Sequence, residues 1–264
     1  MDLQLKGKRA LVSGSSAGIG LAIVQSLAAE GTSVVINGRS RERLEAAAKK
    51  IRSSGASGEV IISAGDLGTA AGVDALLRQV PTVDILVNNL GMYVPKPFEE
   101  ITDEDWLKIF EVNVLSGIRL SRAYLPGMKK KNWGRIIFIS SESGINIPVE
   151  MIHYGVTKTA QLALSRGLAE TTAGTGVTVN AVLPGPTRSE GVEQFVEDMA
   201  RAGKTDAASV EKEFFKSVRP SSLLKRFATP EEVAAMVTYV ASPLSSATNG
   251  AALRVDGGVV RSVF

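Results

Sequence analysis

Tyr154-Gly155-Val156-Thr157-Lys158 sets a phenol and an ammonium four residues apart, so on a helix both lie on one face. A free tyrosine ionises only near pH ~10. It becomes a useful proton donor and acceptor near neutrality where a cation favours its phenolate, and Lys158 is such a cation. The same spacing is common on exposed helices, so the pair alone decides nothing. Ser140-Ser141 add to it by ending a β-branched apolar run at the carboxyl edge, where α/β sheets bind ligands. Serines at strand ends are also ordinary turn formers.

A second constellation is Ser13-Gly14-Ser15-Ser16-Ala17-Gly18-Ile19-Gly20, which follows a strand and opens a helix. Glycines allow a tight turn and close approach to a pyrophosphate, and a helix N-terminus offers N–H donors and positive partial charge. A glycine-rich βα turn without a ligand is the alternative, but the strand and helix that the motif requires are both present. In Val35-Ile36-Asn37-Gly38-Arg39-Ser40 no carboxylate occurs before Glu42 to bind ribose hydroxyls, whereas Arg39 can meet a 2′-phosphate. This favours NADP(H) over NAD(H), against the reading of Arg39 as a surface residue at a helix start. Asp66 could accept from an adenine amino group, cap the helix that begins near Thr69, or do both.

The elements that must position these groups alternate. Strands are expected at 10–13, 33–37, 60–63, 85–88, 135–140, 178–183 and 252–255, and helices at 19–30, 41–53, 103–131, 152–172 and 230–241. This βαβ pattern predicts a single α/β domain with a doubly wound parallel sheet of about seven strands and helices on both faces. The stretch 184–228, with helical pieces at 191–202 and 209–218, is longer than a usual connection and is placed to cover a ligand.

With no cysteine among 264 residues, disulfides and thiolate metal sites are excluded, and a reducing cytoplasmic location is expected. The start of the chain lacks a signal-peptide pattern and no apolar run would span a bilayer, so neither export nor a membrane is expected. The net charge of +3 is small. The run Lys129-Lys130-Lys131 falls where a helix should end and its cations complement the dipole, so even beside Trp133 no nucleic-acid partner is expected.

Taken together the chain resembles the short-chain dehydrogenase/reductase family, over essentially its whole length, in the common single-domain, Rossmann-like form. The family's Thr-Gly-x-x-x-Gly-x-Gly turn appears with Ser13 in the threonine position, and its Asn-Asn-Ala-Gly motif appears as Asn88-Asn89-Leu90-Gly91. Its catalytic asparagine, serine, tyrosine and lysine match Asn113, Ser141 (thirteen residues before Tyr154), Tyr154 and Lys158. Asn180-Ala181-Val182-Leu183-Pro184-Gly185-Pro186-Thr187 resembles its stretch at the nicotinamide carboxamide, with Thr187 and Ser189 as contacts. The resemblance implies a cofactor site of Gly14, Ser16, Gly18, Ile19, Gly20, Arg39, Asp66, Leu67, Asn89, Gly91, Tyr154, Lys158, Pro184, Gly185 and Thr187.

It further implies hydride transfer between a nicotinamide and a small carbonyl or alcohol substrate. Ser141 would hold the substrate oxygen and Tyr154 would exchange its proton. Lys158 would lower the tyrosine pKa and bind the nicotinamide ribose, and Asn113, within a long helix, would hold a relay water. No metal is implied. His153 reads as a packing or substrate-rim residue. The helices 103–131 and 152–172, with Ala160, Ala163, Leu164 and Leu168, would pair in a homodimer or homotetramer, although core packing explains those four nearly as well. A 3-oxoacyl-carrier-protein reductase, with Arg119 and Arg122 toward an acidic carrier, and a non-catalytic nucleotide-binding regulator are the alternatives. The apolar residues Tyr93, Ile147, Met151, Phe195, Met199, Phe214 and Phe215 would line a substrate pocket or fill a local mini-core.

Overall fold

Neighbouring residues of each strand point to opposite faces of the sheet, and both faces are covered. In β1 (Arg9–Val12), Ala10 and Val12 enter one apolar layer while Leu11 enters another. The strands therefore read as continuous apolar runs instead of alternating ones. The computed structural model describes residues 2–203 and 205–263, with the Phe195 side chain outside that description.

Beyond β1 the chain runs α1 (Gly18–Ala29), β2 (Ser33–Gly38), α2 (Arg41–Ser53), β3 (Val60–Ala64), α3 (Ala70–Gln79) and β4 (Ile85–Asn88). There follow α4 (Asp103–Phe110), α5 (Ser116–Lys131), β5 (Gly134–Ile139), α6 (Ile152–Glu170), β6 (Val177–Pro184), α7 (Glu190–Ala202), α8 (Ala207–Ser217), α9 (Pro230–Ala241) and β7 (Ala252–Val255). The seven strands form one parallel sheet in the order β3-β2-β1-β4-β5-β6-β7. Helices α1, α2 and α9 pack on one face through Ile23, Leu27, Leu44, Ile51 and Val237, and α3 and α5 on the other through Leu76, Leu120 and Met128. The order reverses between β1 and β4, which opens a crevice at their carboxyl ends.

The structure sharpens two expectations. The helix expected over 103–131 is continuous but carries a π turn (Glu111–Leu115), where both the side chain and the carbonyl of Asn113 are drawn into contacts outside the helix. Within the 184–228 excursion, Phe214 and Phe215 pack with Phe227 and Val196 as a separate small core, so they do not line a pocket.

The lysine run does end α5, and Asn132 caps it in the left-handed conformation. Lys131 pairs with Asp84, and Trp133 lies under Lys8 Nζ (3.9 Å) and beside the buried Arg135 guanidinium (4.7 Å), so this aromatic is already occupied. Among the described residues no helix is long and apolar enough to cross a membrane.

Candidate active site

The crevice is built first by the turn after β1. Gly14 and Gly18 have φ of +63° and +54°, a region that glycine enters without strain. A Cβ on Gly20 would fall 2.5 Å from the Gly14 carbonyl oxygen and 2.6 Å from Asn89 Nδ2, so only glycine fits. Ser13 Oγ accepts from the backbone N–H groups of Asn89 (3.0 Å) and Leu90 (2.9 Å). Asn89 Nδ2 donates back to the Ser13 and Gly14 carbonyls, both at 2.9 Å. The Asn89 amide nitrogen thus shapes the turn and is committed to it.

Helix α1 starts from Ala17 with no side-chain cap and no acidic residue in its first turn. By contrast Ser40, Thr69, Ser189, Asp206 and Thr229 cap α2, α3, α7, α8 and α9. The first N–H groups of α1 therefore remain available, and a glycine cradle with free donors fits the phosphates of a dinucleotide.

At the tip of β2, Asn37 is consumed by the fold: its Oδ1 accepts from Gly14 N and its Nδ2 donates to the Ser63 and Gly65 carbonyls. Arg39, next along, is exposed and has no hydrogen bond or ion pair among the described residues. A Cβ on Gly38 would lie 3.2 Å from Ser16 Oγ, which brings Ser16 beside Arg39's strand end. Asp66 Oδ1 accepts from Gly68 N, and the cap of α3 is Thr69, so of the two roles open to Asp66 the capping one is taken by Thr69. Leu67 is buried in the core, so only its backbone can face a ligand. Arg119 braces this turn by donating to the Gly68 carbonyl (2.7 Å) and pairing with Glu111, while Arg122 is exposed.

The reacting centre lies where β5 and α6 meet. Ser141 stands two residues beyond β5, accepts from Ser143 N at 3.1 Å and hydrogen-bonds the Tyr154 phenol. Tyr154 is half-buried, and its pKa is pushed up to about 12 by burial above all, with Ser141 opposing. Lys158 is 4% exposed, donates to the Ile139 carbonyl at 2.9 Å, and is driven by burial down to about 7. Its Nζ lies 5.5 Å from the centre of the Tyr154 ring. The expected depression of the tyrosine by the lysine is therefore absent from the protein alone: loss of water outweighs the neighbouring cation.

Asn113 sits behind the pair in the π turn. Its Oδ1 accepts from Met92 N (2.7 Å), its Nδ2 donates to the Met92 carbonyl (2.9 Å) and to Thr157 Oγ1 (3.0 Å), and its carbonyl accepts from Gln161 (2.6 Å). Gly91 keeps the space open, since a Cβ there would be 3.5 Å from Lys158 Nζ. Along the β6 exit, Thr187 Oγ1 donates to the Gly185 carbonyl and Ser189 caps α7, beside Gly18. Tyr93 meets the Tyr154 ring edge-on at 6.1 Å, and Tyr93, Ile147 and Met199 are all exposed. Met151 is half-buried, and the Phe195 side chain lies outside the described residues. His153 is buried against Trp106, and burial lowers its pKa, which makes it a packing residue.

The structure brings Ser141, Tyr154, Lys158 and Asn113 together with the glycine turn, and adds residues that sequence reasoning missed. Thr157 and Gln161 face inward one helical turn apart from the pair, a periodicity visible in the sequence. Asn37, Glu142 and Arg219 gave no local signal, because their partners lie far along the chain. Among the described residues no group of three or more His, Asp or Glu side chains is placed to hold a metal ion.

Comparison with known proteins agrees with this geometry. The short chain dehydrogenase family profile matches residues 8–200. The chain is 49% identical over 264 residues to the uncharacterized oxidoreductase YvaG of Bacillus subtilis, covering all of both chains. It is 34% identical over 260 residues to the D-beta-hydroxybutyrate dehydrogenase of Cupriavidus necator, covering 97% of this chain and 99% of that one. Its fold matches the crystal structure of L-sorbose reductase from Gluconobacter frateurii complexed with NADPH and L-sorbose, with a TM-score of 0.94, 31% identity and full coverage of both chains.

Proposed function

The chain belongs to the short-chain dehydrogenase/reductase family and is an oxidoreductase, and on that premise we propose that it is an NADPH-dependent reductase of small ketones. The observation that carries the cofactor reading is the unpartnered, exposed Arg39 at the tip of β2, with Asn37 consumed by the fold and no carboxylate before Glu42. A guanidinium there binds a 2′-phosphate by charge-assisted hydrogen bonds.

In this reading the backbone of Gly14, Ser16, Gly18, Ile19 and Gly20 holds the pyrophosphate at the uncapped start of α1. Arg39 with Ser16 takes the 2′-phosphate. Asp66 and Leu67 face the adenine, Asn89 and Gly91 the adjoining ribose, Tyr154 and Lys158 the nicotinamide ribose, and Pro184, Gly185 and Thr187 the carboxamide. When bound, the nicotinamide supplies the hydride and, once oxidised, a positive charge. Ser141 holds the carbonyl oxygen and Tyr154 delivers its phenolic proton to it. A phenol held protonated at neutral pH suits the reductive direction. Lys158, buried and easily deprotonated, is suited to pass on the replacement proton, and Asn113 fixes the loop at Met92 and the helix at Thr157 around it.

Fluorescence titration with NADPH and NADH tests the reading. Arg39→Ala should weaken NADPH binding at least about tenfold, the loss of roughly 1.4 kcal/mol from one charged hydrogen bond, and leave NADH unchanged. Equal loss for both nucleotides would refute it. Leu107 on α4 and Val156 on α6 are exposed, at 71% and 43%, on the helices expected to pair. This supports a homodimer or homotetramer, which light scattering would check against a monomer mass.

A further inference from the structure

Immediately after Ser141 the chain buries a carboxylate. Glu142 is 3% exposed, and its Oε1 accepts from Arg219 Nε at 2.9 Å. Its Oε2 has no partner among the described residues. Arg219 follows α8, and 10% of its side chain is exposed. Its Nη1 also reaches Glu150 Oε1 at 3.6 Å, in the turn that leads into α6. One guanidinium therefore joins the residue after Ser141 to the residue four before Tyr154.

We propose that Glu142 and Arg219 are positioning residues of the reaction, a buried ion pair that fastens the α7–α8 excursion onto the turn between Ser141 and Tyr154 and balances charge beside the phenol. The inference rests on the oxidoreductase reading of this site.

Local geometry supports the fastening. The Glu142 carbonyl accepts from Ile145 N (2.9 Å) and Asn146 N (2.8 Å), so its backbone builds the turn that its side chain anchors. On the other side, Arg219 N donates to the Phe214 carbonyl, which ties the guanidinium to the aromatic mini-core. Little water screens the pair, so removing one partner leaves the other charge buried and uncompensated.

The electrostatic half follows from what faces Tyr154. Lys158 on its own helix and Tyr93 after β4 face it, and the charges of Glu142 after β5 and Arg219 after α8 act on it. Glu142 strengthens proton binding by the phenol and Arg219 weakens it. The two charges act in opposite directions, with Glu142 the stronger, so the two single variants must also act in opposite directions.

The test is an ultraviolet titration of tyrosinate, with and without saturating NADP+, in which the signal of Tyr154→Phe is subtracted to isolate Tyr154. Glu142→Gln should lower the Tyr154 midpoint, and Arg219→Met should raise it, each by on the order of one pH unit. The double variant should fall between the two single variants, and Arg219→Lys, which keeps the charge, should stay near the parent. A midpoint unmoved in both single variants, or moved the same way, would overturn the proposal. Should Arg219→Met not fold, Glu142→Gln and Arg219→Lys still decide, since a merely structural pair would leave their midpoints equal. NADPH binding by the unaltered protein reports separately on the oxidoreductase reading.

Discussion

Lys158 offers the sharpest test of the physical account. It is 4% exposed, and burial brings its pKa to about 7, whereas an unfolded lysine holds its proton to about pH 10.4. Between these values the unfolded chain binds more protons than the folded one, so stability rises with pH across that window and is lowest below it. Each pH unit is worth about 1.36 kcal/mol. From about pH 6 to about pH 9 the folded lysine is neutral for roughly two units, and the protein should gain about 2.7 kcal/mol from this group alone. Lys158→Met, of similar length and never charged, removes the dependence. Urea unfolding of both proteins at the two pH values isolates the lysine, because every other titrating group appears in both. The advantage of the methionine variant should therefore shrink by about 2.7 kcal/mol as pH rises. A difference that stays flat would mean the ammonium is not paying for its burial, and the desolvation argument would fail with it.

Two further outcomes follow from the same geometry. Tyr154→Phe should cut turnover of a reducible ketone by about 10²–10⁴, the contribution of a positioned proton donor, while NADPH affinity measured by fluorescence falls by no more than about tenfold, the loss of one hydrogen bond to the ribose. Gly20→Ala should destabilise the fold by roughly 1–3 kcal/mol in thermal unfolding and weaken NADPH binding, because its Cβ would press on the Gly14 carbonyl and Asn89. An alanine variant as stable as the parent would show that the turn is looser than its contacts imply.

The strands were legible because a sheet buried on both faces leaves uninterrupted apolar runs such as Val34-Val35-Ile36, with no competing helical period. The helix start at Thr229-Pro230 was legible through its proline at the first helical position. The π turn at Asn113 was not, since the residues that pull on it, Met92 and Gln161, lie 21 and 48 positions away. Asp66 was open to capping α3 or meeting a ligand, and only backbone geometry gave the cap to Thr69. Phe214 and Phe215 looked equally suited to a pocket or to a core until the α8 turn closed them against Phe227.

The sequence by itself determined the order of elements and marked the candidate reacting groups, because a glycine turn and a Tyr-x-x-x-Lys helix face are local patterns of backbone and periodicity. The tertiary structure decided the proton affinities and the supports of those groups. Burial raises Tyr154 and lowers Lys158, Asn37 and Asn89 are spent on shaping the nucleotide turn, and Arg219 reaches back 77 residues to Glu142. Each of these depends on which distant segments exclude water from a side chain. No local pattern carries that information, because solvent exclusion is a property of the packed chain.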